Sequence, residues 1–157
     1  MIDGQQEITY ARNDIIFHES ERPDGVYIVK DGLVQIFQSV QTPEGVVDVE
    51  LGRIGARGMF GEMGLIDHRP RSASAKALGP TTLLFIPKEQ FRKHLEQLPP
   101  WVTLLIKTFV HRLRETNDRL VEVLEARGES PAIHLHPHDL VMTEGEGAGQ
   151  SPPQPGV

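Results

Sequence analysis

The sequence predicts a mainly β domain followed by helices, on three observations. Residues 15 to 86 consist of short apolar or alternating runs broken by turn residues, the pattern of a sandwich or barrel. Residues 88 to 98 place apolar side chains at helical spacing. Residues 101 to 128 repeat that spacing over a length that no strand reaches, while 157 residues leave room for one domain with its own core.

Along the chain, residues 1–14 are set apart as an N-terminal segment and 15–98 as the β unit with its adjoining short helix. In "GVYIVKDGLVQIF" two β-branched and aromatic runs flank Lys30-Asp31-Gly32, and Asp-Gly supplies the positive φ angles of a tight hairpin. Strands are predicted near 26–29 and 33–39. "GVVDVELGRIG" alternates Val47, Val49 and Leu51 against Asp48 and Glu50, which predicts one buried and one wet face. "TTLLFI" closes the β part at Pro87. "KEQFRKHLEQL" spaces Phe91, Leu95 and Leu98 as an amphipathic helix, which Pro99-Pro100 interrupts.

A long helix is expected over 99–127, with Gly128 placed to cap it. Its seam reads Val102, Leu105, Phe109, Leu113, Thr116, Leu120 and Val123. Roughly 27 residues at 1.5 Å each span about 40 Å, longer than the core of so small a domain needs. The same helix of a second subunit is the expected cover for the surplus, so a homodimer through 99–127 is predicted. Residues 128–157 are rich in Gly and Pro and hold Glu129, Asp139, Glu144 and Glu146 with no Lys or Arg. They are expected to form a disordered acidic tail.

Composition narrows the function. With 16 basic against 22 acidic residues, net charge −6, the chain lacks the cationic surplus of a nucleic-acid or anionic-membrane binder. Without cysteine it has no thiolate metal site and no cysteine nucleophile, and it fits a cytoplasmic setting. No run approaches 18 apolar residues and the N-terminus is polar, so no membrane partner is expected.

The chemistry concentrates in "FGEMGLIDHRPRSASAKAL". Gly58, Gly61 and Gly64 among Phe60, Met63, Leu65 and Ile66 describe a strand end entering a tight turn and a helical turn, whose free N–H groups favour an anion. Arg71 offers paired donors to phosphate oxygens, and Glu62 can accept from a sugar hydroxyl. Ser72, Ala73, Ser74 and Ala75 are small enough to let a ligand reach the backbone. A plain Glu62–Arg71 ion pair at a loop is the competing reading, but it explains neither the small residues nor the glycine before the glutamate.

This stretch resembles the phosphate-binding cassette of cyclic nucleotide-binding domains, and "GVYIVKDGLVQIF" and "PPWVTLLIKTFVHRLRETNDRL" resemble that family's glycine-turn strand pair and the helix ending the sensor domain of bacterial catabolite activators. The resemblance covers roughly residues 15 to 125. It implies an α+β, mainly β fold: a double-stranded β-helix (jelly roll or β-roll) flanked by short helices, with a long C-terminal helix. It implies a cyclic nucleotide ligand, cyclic AMP ahead of cyclic GMP, within a site of Phe60, Gly61, Glu62, Met63, Arg71, Ser72 and Ala73. Gly61 would approach the ribose, Glu62 would accept from its 2'-hydroxyl, and Arg71 would hold the cyclic phosphate, with Ser72 and the Ala73 backbone completing the cradle. Thr116 would reach the base in its own subunit and Asn117 the ligand of the partner. Alternatively, these two set the register of a helix pair.

In one departure, Ser20 stands after "FHE" where many relatives have glycine. In a second, the activators continue into a helix-turn-helix reader, which residues 128–157 are too few and too Pro/Gly-rich to form, so no DNA partner is expected. "HLHPHD" could hold a metal through His134, His136, His138 and Asp139, but nothing in a Pro-rich tail fixes the rings, so no metal is expected. No nucleophile–base pair is visible, so no catalytic residue is assigned. The resulting reading is a non-catalytic regulatory sensor that acts through its C-terminal helix on a downstream effector. A dimeric module without nucleotide affinity, a truncated transcription regulator and a metal-dependent enzyme are the competing readings. Intact Glu62 and Arg71, the missing basic reader and strands almost empty of histidine argue against them in turn.

Overall fold

A computed structural model describes residues 5–43 and 45–127. The expected tail, its histidine tract and the Gly128 cap lie outside the described residues. The strands are β1 (Gln6–Tyr10), β2 (Ile15–Phe17), β3 (Gly25–Asp31), β4 (Val34–Thr42), β5 (Gly45–Ile54), β6 (Met59–Phe60), β7 (Ser74–Ala77) and β8 (Thr81–Pro87). The helices are α1 (Met63–Asp67), between β6 and β7, then α2 (Lys88–Glu96) and α3 (Pro100–Arg127). Two four-stranded antiparallel sheets, β1-β8-β3-β6 and β2-β7-β4-β5, face each other as a jelly roll.

The inter-sheet core is aromatic. Phe17, Tyr27 and Phe60 meet with ring centroids 5.3 to 5.9 Å apart, and Val29, Val34, Ala75 and Leu83 close around them. The Asp31–Gly32 turn joins β3 to β4 with Gly32 at φ +97°, where an added Cβ would strike Thr81. β1 lies within the segment for which the periodicity gave no element. Its Ile8 and Tyr10 are half-buried between exposed Glu7 and Thr9, and it pairs edge to edge with β8.

The wet face assigned to Glu50 needs correction. A bulge in β5 opposes Ile36 and Phe37 with Gly52 and Glu50, leaving Leu51 unmatched, so the alternation breaks and Val49 through Gly52 are all buried. Glu50 is only 7% exposed and is satisfied by Gln35 and by Arg53, whose Nε lies 2.9 Å away.

Pro100 starts α3, where its missing N–H has no intrahelical partner to lose, and Pro99 O accepts from Val102 and Thr103 N–H. α1 and α2 pack on β3 and β8 through Leu65, Phe91, Val26 and Ile86. α3 lies across the other sheet, with Leu124, Leu120 and Val121 on Val40, Val49, Leu51 and Ala73. This contact uses a stripe one residue off the predicted seam: Val110, Arg114, Asn117, Val121 and Leu124 face inward. Much of the seam faces out, with Leu105 at 44%, Phe109 at 57%, Leu113 at 48% and Val123 at 48% exposure.

Candidate functional site

The cassette is built around one buried cation. Arg71, 4% exposed, lies with its guanidinium carbon 4.1 Å from the centre of the Phe17 ring. Its Nη2 donates to Asp24 Oδ1 at 2.8 Å and to Gly25 O at 3.0 Å, and its Nη1 donates to Gly61 O. Burial pulls its pKa down, while Asp24 and Tyr27 oppose that loss and keep the charge. Gly61, at φ +80°, is required by this packing: a Cβ there would stand 2.6 Å from Arg71 Nη1. Arg71 Nε is buried with no acceptor among the described residues. A buried donor of this kind, left without a partner, is an exception that calls for an explanation.

The backbone of Arg71 is held as firmly. Ser20 N–H donates to Arg71 O and Arg71 N–H to Glu21 O, both at 2.9 Å. Ser20 makes this possible at φ +68°, so the serine takes up the left-handed conformation that glycine adopts without penalty. Beyond Arg71, Gln38 Nε2 donates to Ser72 O at 2.6 Å and Ser74 Oγ accepts from Glu19 N–H at 2.9 Å. These bonds fix the direction of the small-residue run.

Glu62 forms no ion pair among the described residues, so the plain Glu62–Arg71 bridge is absent; Arg71 pairs with Asp24 instead. Burial raises the Glu62 carboxyl pKa, against its own backbone N–H and the charge of Arg71.

A cavity of about 170 Å³ is lined by Phe60, Gly61, Glu62, Met63, Arg71, Ser72 and Ala73, and also by Asn117. Thr116 is not in its wall: it is exposed and its hydroxyl donates back to Arg112 O at 2.8 Å. Within one chain the expected placement is thus reversed, because the stripe of α3 that packs inward contains Asn117 and the outward stripe contains Thr116. Sequence reasoning missed Phe17, Ile36, Leu51 and Leu113 in the wall, and Gln38 and Asp24 as supports. Asp24 gave one signal, a lone carboxylate beside Gly25 at the entrance to a strand. A second α3 contact was also missed: Arg114 pairs with Asp67 of α1 and donates to Pro70 O at 3.1 Å, which ties the helix to the cassette. Among the described residues no cluster of metal-ligating side chains occurs, and no helix is long and apolar enough to cross a membrane.

Comparison with known proteins gives a match between residues 7–97 and the model of the cyclic nucleotide-binding domain. The chain is 32% identical over 155 residues to the cyclic AMP receptor protein of Thermus thermophilus, covering 89% of this chain and 70% of that one. It is 28% identical over 119 residues to a CRP-like cAMP-activated global transcriptional regulator of Mycobacterium tuberculosis, covering 76% of this chain and spanning 52% of the regulator's length. Among solved structures, a cAMP-bound form of the EAL enzyme Bd1971 superposes with TM-score 0.66 at 30% identity, over 78% of this chain and 32% of that one. A cGMP-bound form of the same enzyme gives 0.62 at 32% identity, over 69% and 28%.

Proposed function

This chain belongs to the cyclic nucleotide-binding domain family, and on that premise we propose that it is a sensor that captures cyclic AMP, with cyclic GMP second, and signals through α3. The observation that carries this is the single cavity into which the cassette brings Gly61, Glu62, Arg71, Ser72 and Ala73 while α3 brings Asn117. A ligand there touches both the phosphate-binding turn and the signalling helix. The unpartnered Arg71 Nε meets the phosphate, and the unpaired Glu62 carboxylate accepts from the ribose.

At about 170 Å³ the cavity is smaller than the roughly 300 Å³ at which small-ligand clefts begin. Capture therefore requires α1 or α3 to shift, and the ligand favours the arrangement that admits it. The preference for cyclic AMP is supported by the names of the two bacterial relatives. A homodimer through α3 completes the proposal: its outward stripe of Trp101, Leu105 and Phe109 is exposed and apolar, and Thr116 on that stripe meets the partner copy. An effector protein downstream of α3 is the remaining proposed partner, in a cytoplasmic setting.

Titration calorimetry of the purified chain with cyclic AMP and cyclic GMP, beside Arg71→Ala, tests the reading. Micromolar or tighter binding of one nucleotide, lost in the variant, is expected. Absence of heat and of thermal stabilisation in folded, ligand-free protein would leave a dimeric module without nucleotide affinity.

A further inference from the structure

We propose that the cavity on the far side of α1 is a second ligand site, one that takes a phosphoryl-class anion. The cavity has a volume of about 320 Å³, and its lining includes Arg22, His68, Arg69, Lys88 and Arg92 but no carboxylate. In a chain of net charge −6 with 16 Lys and Arg in all, four of those cations converge here. Glu21 and Glu89 adjoin Arg22 and Lys88 along the chain but do not line the cavity, and Asp67 and Asp24 are engaged by Arg114 and Arg71. Arg22, Arg69 and Lys88 have no ion pair or side-chain hydrogen bond among the described residues.

Arg92 makes the need for an anion specific. Its Nη2 lies 2.9 Å from His68 Nδ1, and since a guanidinium only donates, that ring nitrogen accepts. Its Nε is buried with no acceptor among the described residues. A buried donor without a partner costs stability, and like charges gathered around it add to that cost; an anion in the cavity relieves both. Three guanidinium forks and an ammonium balance a multiply charged anion with several oxygens better than a single carboxylate. The volume lies in the range of small-molecule clefts, so a phosphorylated organic molecule fits as well as bare phosphate. Gly64 lines this cavity and the cassette cavity alike, so α1 is a thin wall between them.

The test uses the whole chain with inorganic phosphate, pyrophosphate and a hexose monophosphate as probes at constant ionic strength. Binding is read by phosphorus NMR line broadening and by the arginine Nε–H resonances. The expected result is millimolar or tighter binding of at least one probe, with a downfield shift of the Arg92 Nε–H signal. The tightest probe distinguishes a free-phosphate ligand from a phosphorylated organic one. Arg69→Gln with Arg92→Gln should weaken binding by about tenfold or more. Arg22→Gln with Lys88→Gln should do the same and serves if the first pair fails to fold. No broadening with any probe, or equal binding in the charge-depleted variants, would each overturn the proposal.

Discussion

Arg71 is both a structural cation and the proposed phosphate donor, and its environment separates the two roles. Three of its hydrogen bonds run to protein oxygens, and its Nε has none. Arg71→Ala is expected to weaken nucleotide binding by about 2–4 kcal/mol, the loss of a charge-assisted contact; unchanged affinity by calorimetry would remove it from the site. Glu62 gives a pH prediction. Burial raises its carboxyl pKa above the ordinary 4.5, so the native state holds the proton more tightly than the unfolded chain. The stability that goes with the protonated form is fully present below pH 4.5 and is lost as pH rises through the raised value. Glu62→Gln should therefore raise Tm near neutral pH by about 3 °C, with the difference from wild type vanishing in acid. The same variant should bind nucleotide about tenfold more weakly. Melting curves of both proteins across pH check the sign.

At the level of elements, the clasp between α1 and α3 ties the C-terminal helix to the cassette. Arg114 and Asp67 have side chains 11% and 14% exposed, so breaking this pair leaves a nearly buried charge. Asp67→Asn should destabilise the fold by about 2 kcal/mol, between the effects of exposed and fully buried pairs. It should also speed hydrogen exchange in the second half of α3 more than in the sheets; uniform acceleration would show that the clasp does not couple the elements. The turn at Ser20 yields the opposite sign. A non-glycine residue at φ +68° carries strain, and Ser20→Gly removes it at the cost of greater freedom in the unfolded chain. A net gain of roughly 0.5–1 kcal/mol in denaturant melts is expected.

For the whole molecule, α3 has two faces with different destinations. Its inner stripe closes the cassette cavity and covers the sheet, while the outer stripe exposes Trp101 at 68%, Leu104 at 66% and Phe109 at 57%. Contiguous exposure of this kind marks an interaction surface. Light scattering at micromolar concentration should report twice the monomer mass, and Leu105→Glu with Phe109→Glu should return it to that of one chain. A wild-type monomer would count against the homodimer and against a role for Thr116 in a partner's site.

The jelly roll was implied by the family resemblance, whereas a β-rich sandwich or barrel, the hairpin at Gly32, the two closing helices and the motif from Phe60 to Ala73 were legible in the residues themselves. Each is written locally: in period-2 runs, in a turn that needs positive φ, in helical spacing, and in a contiguous motif whose residues reach one cavity because the chain between them is short. Tertiary structure alone decided the rest. β1 alternates Ile8 and Tyr10 with Glu7 and Thr9 over too few residues to stand alone, and is a strand because β8 offers it an edge. Glu50 is buried because a bulge in β5 cancels the alternation that put it outside. The inner and outer stripes of α3 differ by one residue, about 100° of rotation, and a helix apolar on both cannot say which side meets its own sheet. Asp24 and Arg71, 47 residues apart, and Arg114 and Asp67 become partners only when sheets and helices pack, because long-range pairing of charges depends on where the chain returns and not on what lies next to it.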